Sequence, residues 1–340
     1  MAAFKRKQIV GLAGAGAVAS LLVLAACTEV SLEGVPAKSA PSVAQPSPQE
    51  KPRTDQVFDK EKYKDQLTIR YFYLEGPEMT GDSILIQSPD GKSMLIDSGL
   101  PGVGSQVVSY LDKLGVTKLD IALNTHPHTD HIGGFATVAQ KKEIGVFYME
   151  NLPYPSSASY RNAIAALDAK QVPKEILEEG STFKLGEEVS FEVLSPPKGE
   201  LPGAIKTFSA PELNDYSMVL RMTFRGQSYL ITGDIYKHRE MELVGSPLAE
   251  KLDADSLHVP HHGSESTSSS ELFMQAVTPK YAVMSQNLFQ SPNLMERYQK
   301  KGAQVFSTGL HGNVLLILDG KDIRTITEKD WAPRSGAAQK

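Results

Sequence analysis

From Thr125 to Gly134 the chain reads Thr-His-Pro-His-Thr-Asp-His-Ile-Gly-Gly, the stretch that most limits what it can fold into. Three of the eight histidines, His126, His128 and His131, and the carboxylate Asp130 fall within six residues. They follow Leu119 to Asn124, an apolar run that reads as a buried strand. In an extended loop leaving a strand, residues i and i+2 project to one side. His126 and His128 can then share one cation while Asp130 and His131 turn toward a second. Gly133 and Gly134 let the backbone turn sharply into a following helix. A polar loop with fortuitous histidines is the competing reading, and the density of donors argues against it.

His126-x-His128-x-Asp130-His131 resembles the signature of the metallo-β-lactamase superfamily, whose members are mostly two-metal hydrolases. That resemblance implies an α/β (α+β) fold, an αββα sandwich of two sheets with helices on both outer faces and the site at one edge. A narrower likeness covers about Leu67 to Thr327, which resembles stand-alone relatives of the hydrolase domain of the ComEC/Rec2 competence proteins. It rests on Gly81-Asp82-Ser83, Asp97-x-Gly99, the histidine cluster, Asn214-Asp215-x-Ser217, Thr232-Gly233-Asp234 and Val259-Pro260-His261-His262-Gly263-Ser264. Their order and spacing together are specific; few are so alone.

Local patterning agrees. Leu67 to Leu74, Ser83 to Gln87 and Met94 to Ile96 read as strands broken by Gly81-Asp82 and Asp90-Gly91 turns. Val107, Val108, Leu111 and Leu114 share a helical face that Gly115 ends. A short helix from about Gly134 to Lys141, a strand over 146–150 and a helix over 158–171 with Ile164, Ala165 and Leu167 inward follow. Phe183 to Ser195 reads as a hairpin and Met218 to Met222 as a strand. Gln227 to Thr232 is a strand delivering Asp234 at its end, where two carboxylate oxygens can bridge cations about 3.5–4 Å apart. Capping the helix after Ile235 is compatible with that role. Ser256 to Pro260 ends in His261-His262, one of which should complete the second metal site with Asp130 and His131 while the other faces the leaving group; His262 is favoured as ligand. Asn214 belongs to the catalytic set by resemblance. By the same resemblance Asp97, in its Asp-x-Gly element, is expected to organise the loop near the metals and not to ligate them. His258 and His238 read as structural, and His311 could approach the site.

The sequence departs from the lactamase pattern in one respect. No His lies between His131 and His238, so the usual third histidine of the first metal is absent, which argues against β-lactam hydrolysis. Gln290-Ser291-Pro292 also stands where the relatives often carry Gly-His-Pro.

The amino terminus carries Lys5, Arg6 and Lys7, an apolar run from Ile9 to Ala26, and Cys27, the only cysteine. Leu24-Ala25-Ala26-Cys27 resembles the lipobox of bacterial lipoproteins, implying cleavage before Cys27 and a lipid on its thiol. The alternative is an uncleaved transmembrane anchor, although Gly11, Gly14, Gly16 and Ser20 make the run less apolar than most spans. Both hold the protein at a bacterial membrane with the folded part outside the cytoplasm. Residues 27–65, rich in Ser, Pro, Ala, Lys and Glu, read as a solvated tether, residues 66–330 as one domain, and 331–340 as a flexible tail.

The formal net charge is −5, and loss of residues 1–26 leaves −8, the wrong sign for a long non-specific nucleic-acid groove. The expected cofactors are two divalent ions, Zn²⁺ by its liking for nitrogen and carboxylate ligands, with Mn²⁺ or Fe also compatible. Cations there would activate water against a phosphorus or carbonyl centre, and a spare histidine can protonate the leaving oxygen. The expected function is an extracytoplasmic phosphodiesterase, acting on a small or wall-linked phosphodiester, phosphorylcholine esters included, in preference to nucleic acid. Hydrolysis of an ester, lactone or lactam is the alternative chemistry, and a non-catalytic phosphoryl-ligand binding lipoprotein the alternative class.

Overall fold

The computed structural model describes residues 52–201 and 210–331. The apolar run, Cys27 and the tail after Trp331 lie outside the described residues, as do residues 202–209. Among the described residues no helix is long and apolar enough to cross a membrane.

The chain builds one sheet, then a second, and returns to finish the first. Sheet one holds β1 (Leu67–Tyr71), β2 (Ile84–Gln87), β3 (Ser93–Ile96), β4 (Lys118–Leu123), β5 (Glu143–Met149) and β6 (Lys174–Ile176). Sheet two follows with β7 (Thr182–Leu185), β8 (Val189–Ser195), β9 (Val219–Phe224), β10 (Gln227–Ile231), β11 (Ser256–His258), β12 (Tyr281–Met284) and β13 (Gln304–Ser307). The hairpin β14 (Val314–Leu318) and β15 (Ile323–Thr327) then pairs with β1, giving the order β15-β14-β1-β2-β3-β4-β5-β6. Sheet two runs β13-β12-β11-β10-β9-β8-β7.

Each sheet is antiparallel in one part and parallel in the other. The pairs β3-β4, β4-β5, β5-β6, β10-β11, β11-β12 and β12-β13 are parallel, so each needs a crossover. The helices Gly104–Lys113, Phe135–Lys141, Lys237–Val244, Glu271–Val277 and Pro292–Lys300 fall in those crossovers. Period-2 patterning explains the layering. In β1, Leu67, Ile69 and Tyr71 enter a core between the sheets with Met222, Tyr229 and Ile231, while Phe72 joins the outer core with Phe135 and Phe147. A third core, with Leu257, Phe273 and Leu294, lies under the helices of sheet two. The result is the expected αββα sandwich.

Three details differ from the sequence reading. On the helix Ala158–Ala169 the inward residues are Ala163, Ala166 and Leu167, and Ala165 is exposed. The short strand β6, all of it exposed, carries no periodic signal. The third concerns the tether, expected to reach residue 65. The packed chain instead begins near Pro52: Arg53 N–H donates to Glu328 O at 2.7 Å, and Val57, Phe58 and Tyr63 are buried. The Phe58 ring stacks on Tyr110 at 5.3 Å and on Phe72 at 6.3 Å. These three apolar side chains sit among charges, so composition over this segment hid them.

Burial of a side chain such as Val57 or Phe58 contributes about 1.5–3 kcal/mol. A chain beginning at Gln66 should therefore lose at least about 3 kcal/mol against one beginning at Lys51. Chemical denaturation compares the two, and equal midpoints would show that the segment adds nothing.

Candidate metal centre

The candidate residues gather where the parallel strands of both sheets end. β3 delivers Asp97, which sits at φ 55°, a left-handed conformation uncommon outside glycine. Its carboxylate accepts from Asn124 Nδ2 at 2.9 Å, Thr125 N at 2.8 Å and Thr125 Oγ1 at 2.7 Å. It also accepts from His131 Nδ1 at 2.8 Å. Asp97 thus ties the histidine loop to its neighbouring strand and orients one imidazole, the supporting role expected of it. Gly134 must be glycine, because a Cβ there would stand 2.1 Å from Ser98 O.

From sheet two, β10 delivers Asp234, whose N–H donates to Ser217 Oγ at 3.2 Å. His261 N–H donates to Gly233 O at 3.1 Å, joining the loop after β11 to the loop after β10. His261, His262 and Gly263 all take positive φ, 50°, 54° and 79°. This tight turn brings both adjacent imidazoles to the same site.

Asp234 Oδ2 lies 3.1 Å from His131 Nε2, 3.4 Å from His262 Nε2, and 3.8 Å from both His126 Nε2 and His261 Nε2. Asp130 Oδ2 is 3.3 Å from His262 Nε2 and 3.9 Å from His131 Nε2. His126 Nε2 faces His128 Nδ1 at 2.9 Å. Donor atoms of His126, His128 and Asp234 form one group, and those of Asp82, His131, Asp234 and His262 another, with the members of each group within 4.8 Å of one another. Asp234 belongs to both.

These residues fit divalent cations. Asp234 Oδ1 and His262 Nε2 are buried without a hydrogen-bond partner, which is costly unless something else meets them. Four carboxylates, Asp82, Asp97, Asp130 and Asp234, crowd the histidines, and among the described residues no lysine or arginine is paired to them. Burial would raise the Asp234 carboxyl, but His131, His262 and His261 outweigh it and hold it well below the usual range. Burial would likewise lower His131 and His262, but the surrounding aspartates draw both imidazoles well up. His126 is pushed well down by burial and by the neighbouring His131 and His128.

The sequence reading missed the role of Asp82. It lies within the Gly-Asp-Ser element, yet nothing local shows that it reaches across to sheet two. Its Oδ1 accepts from His262 Nδ1 at 3.1 Å, and its Oδ2 stands 3.0 Å from His258 Nε2. A carboxylate on the outer nitrogen of an imidazole fixes the tautomer and turns the other nitrogen toward a metal. His258, expected to be structural, is therefore a neighbour of the site, its ring 6.0 Å from Tyr71. Asn214 is buried beside the Tyr236 hydroxyl, and the Tyr236 ring lies 5.0 Å from His261. His238 is exposed near Asp215 and Glu242. His311 does not turn to the cluster: its Nδ1 pairs with the Ser307 backbone and its ring lies 6.0 Å from Trp331.

The cluster opens into a cleft of about 690 Å³ bordered by Met79, Asp130, His261, His262, Gln286 and Ser291. A family model of the Metallo-beta-lactamase superfamily matches residues 76–285, more than half of the chain. The chain belongs to this superfamily. Among curated proteins it is 26% identical to ComE operon protein 3 of Bacillus subtilis (strain 168) over 256 residues, 69% of this chain and 31% of that protein. It is 28% identical to Competence protein ComA of Neisseria gonorrhoeae over 238 residues, 68% of this chain and 30% of that one. The chain thus spans about a third of the length of these two relatives. A shorter match, 31% identical over 71 residues, links 21% of the chain to 26% of Exodeoxyribonuclease YycJ of Bacillus anthracis. The expected likeness to the competence-protein branch of the superfamily is therefore found.

Asp82→Asn keeps the shape of the side chain and removes its charge. It should weaken metal binding at the His262 side about 10–100-fold, read by chelator competition, as loss of a partner carboxylate does elsewhere. Two metals held as tightly as by the unaltered chain would leave Asp82 without this role.

Proposed function

We propose that the chain is a metal-dependent phosphodiesterase held outside the cytoplasm by a lipid on Cys27. The observation that supports it best is the position of Asp234 Oδ2, within 3.8 Å of four imidazole nitrogens and common to both donor groups. In this reading His126, His128 and Asp234 hold one cation. Asp130, His131, His262 and Asp234 hold the other, with Asp82 and Asp97 orienting His262 and His131. Zn²⁺ suits these ligands, with Mn²⁺ or Fe also compatible. Divalent cations in such a site supply Lewis acidity, polarising the scissile ester and acidifying water.

The protein's own groups do the rest. Thr267 Oγ1 donates to Ser264 Oγ at 2.8 Å, so its oxygen accepts from His261 Nδ1 at 2.7 Å. That leaves His261 Nε2 facing the cleft; burial lowers this imidazole, so a proton it carries is weakly held and readily handed to the leaving oxygen. Asn214 steadies Tyr236, and Tyr236 packs on His261. The cleft wall supports a small or wall-linked phosphodiester over a long polyanion. Its other polar residues, Ser264, Ser266 and Gln290, are neutral, Glu265 is acidic, and no lysine or arginine lines it among the described residues. The exodeoxyribonuclease relative supports phosphodiester chemistry as such.

Bis-p-nitrophenyl phosphate should be hydrolysed by the chain from Lys51 onward with Zn²⁺ or Mn²⁺. His261→Ala should lower kcat about 10²–10⁴-fold, the usual worth of a positioned acid, and Asp130→Ala should abolish turnover. No turnover despite two bound metals would favour ester hydrolysis or ligand binding. For the anchor, mass spectrometry of the membrane fraction should find Cys27 as a lipidated amino terminus, and an unmodified Cys27 inside a longer chain would refute it.

A further inference from the structure

A second cleft, of about 170 Å³, lies between sheet one and the segment that packs over it, lined by Lys60, Tyr63, Lys64, Thr68, Arg70 and Gln87 among others. It is remote from the metal centre. Asp82, just before β2, belongs to that centre, whereas Gln87 at the end of β2 belongs to this cleft, five strand residues or roughly 17 Å away.

The cleft contains a buried cation with no acid against it. Arg70 is 1% exposed, and among the described residues no carboxylate comes within 4.0 Å of it. Its partners are neutral: Nε donates to Val57 O at 2.8 Å, and Nη1 to Thr68 Oγ1 and Gln87 Oε1, each at 2.8 Å. Nη2 meets no acceptor among the described residues. Burial lowers the guanidinium to about 10, while Tyr63 and Asp59 draw it back from a longer range. Tyr63 lines the same cleft, and its hydroxyl is buried without a hydrogen-bond partner. Thr68 Oγ1 accepts from Arg70 and keeps its own proton to donate. Lys60 and Lys64 add ammonium groups to the lining, Lys60 Nζ lying 3.9 Å from Glu61 Oε1. Glu61, the acid on the rim, is 77% exposed in its side chain, where water screens its repulsion.

A buried charge without a counter-charge is expensive, and an orphaned hydroxyl beside it adds to the cost. One occupant resolves both: an anion that accepts from Arg70 Nη2, Tyr63, Thr68 and the lysines together. Nε and Nη1 are already engaged, so an anion would meet Arg70 through Nη2, and donors arriving from several elements suit the corners of a tetrahedral oxyanion better than the plane of a carboxylate. We propose that this cleft binds a phosphate oxyanion, supplied either as inorganic phosphate or as the diester of a phospholipid headgroup. The second source is in keeping with the cleft's place beside residues 53–66, where the folded part leaves the amino-terminal region.

The test uses the full chain in detergent, stripped of metals by chelation so that the metal centre cannot itself capture phosphate. Isothermal titration with inorganic phosphate should give one saturable equivalent. Tyr63→Phe and Lys64→Ala should each weaken it about tenfold, the worth of a hydrogen bond to a charged group, with thermal midpoints retained. Arg70→Gln should abolish binding, read beside its own melting curve because Arg70 also holds Val57. A parallel titration with glycerophosphoglycerol separates the sources: binding tighter than that of phosphate assigns a headgroup, and weaker binding assigns the free anion. No saturable binding of either ligand, or binding unaltered in Tyr63→Phe and Lys64→Ala, would overturn the proposal and leave the cleft to water.

Discussion

The structure turns on excess negative charge concentrated where two sheets meet. Asp82 and Asp97 come from sheet one, Asp130 from the loop after β4 and Asp234 from sheet two, and all are held among imidazoles, with Asp82, Asp97 and Asp234 buried and Asp130 on the cleft. Like charges so close repel strongly at low effective dielectric. Their convergence fits a cation site, and it also makes the site a junction between the two halves of the sandwich. His262 shows this most directly, since its Nδ1 contacts Asp82 of the first sheet and its Nε2 approaches Asp234 of the second.

Holding that arrangement requires backbone that would not adopt it alone. Asp97, His261 and His262 all lie at positive φ, each at about 1–3 kcal/mol. The opposing forces are ordinary. Three apolar cores pin the strands, and hydrogen bonds such as Thr125 to Asp97 and His261 to Gly233 lock the loops to the strand ends. The strain sits at the ends of β3 and β11, next to the cluster, and the cores under those strands bear it.

The histidine cluster and the strands around it were legible in the sequence for a physical reason. Ligands two residues apart in an extended loop, and apolar runs of strand length, are local patterns that tertiary context does not rewrite. Asp234 and the His261-His262 pair were legible because each ends such a run. Asp82 was not, because its partners His262 and His258 lie 180 and 176 positions away and no spacing rule spans that distance. The start of the folded unit was misread for another reason: charges and Pro52 dominate residues 52–65, and only the outer face of sheet one reveals what Val57, Phe58 and Tyr63 are for.

By itself the sequence determined the αββα class, the order of the histidine- and aspartate-bearing loops and the presence of a cluster of candidate metal ligands, since strand periodicity and clustered donors act over a few residues. Only the tertiary structure decided which imidazole lies nearer Asp130, which carboxylates orient which rings, and that Arg70 is buried without an acid beside it. Those facts depend on side chains from distant segments meeting in a space of a few ångströms, where burial and pairing set their energies.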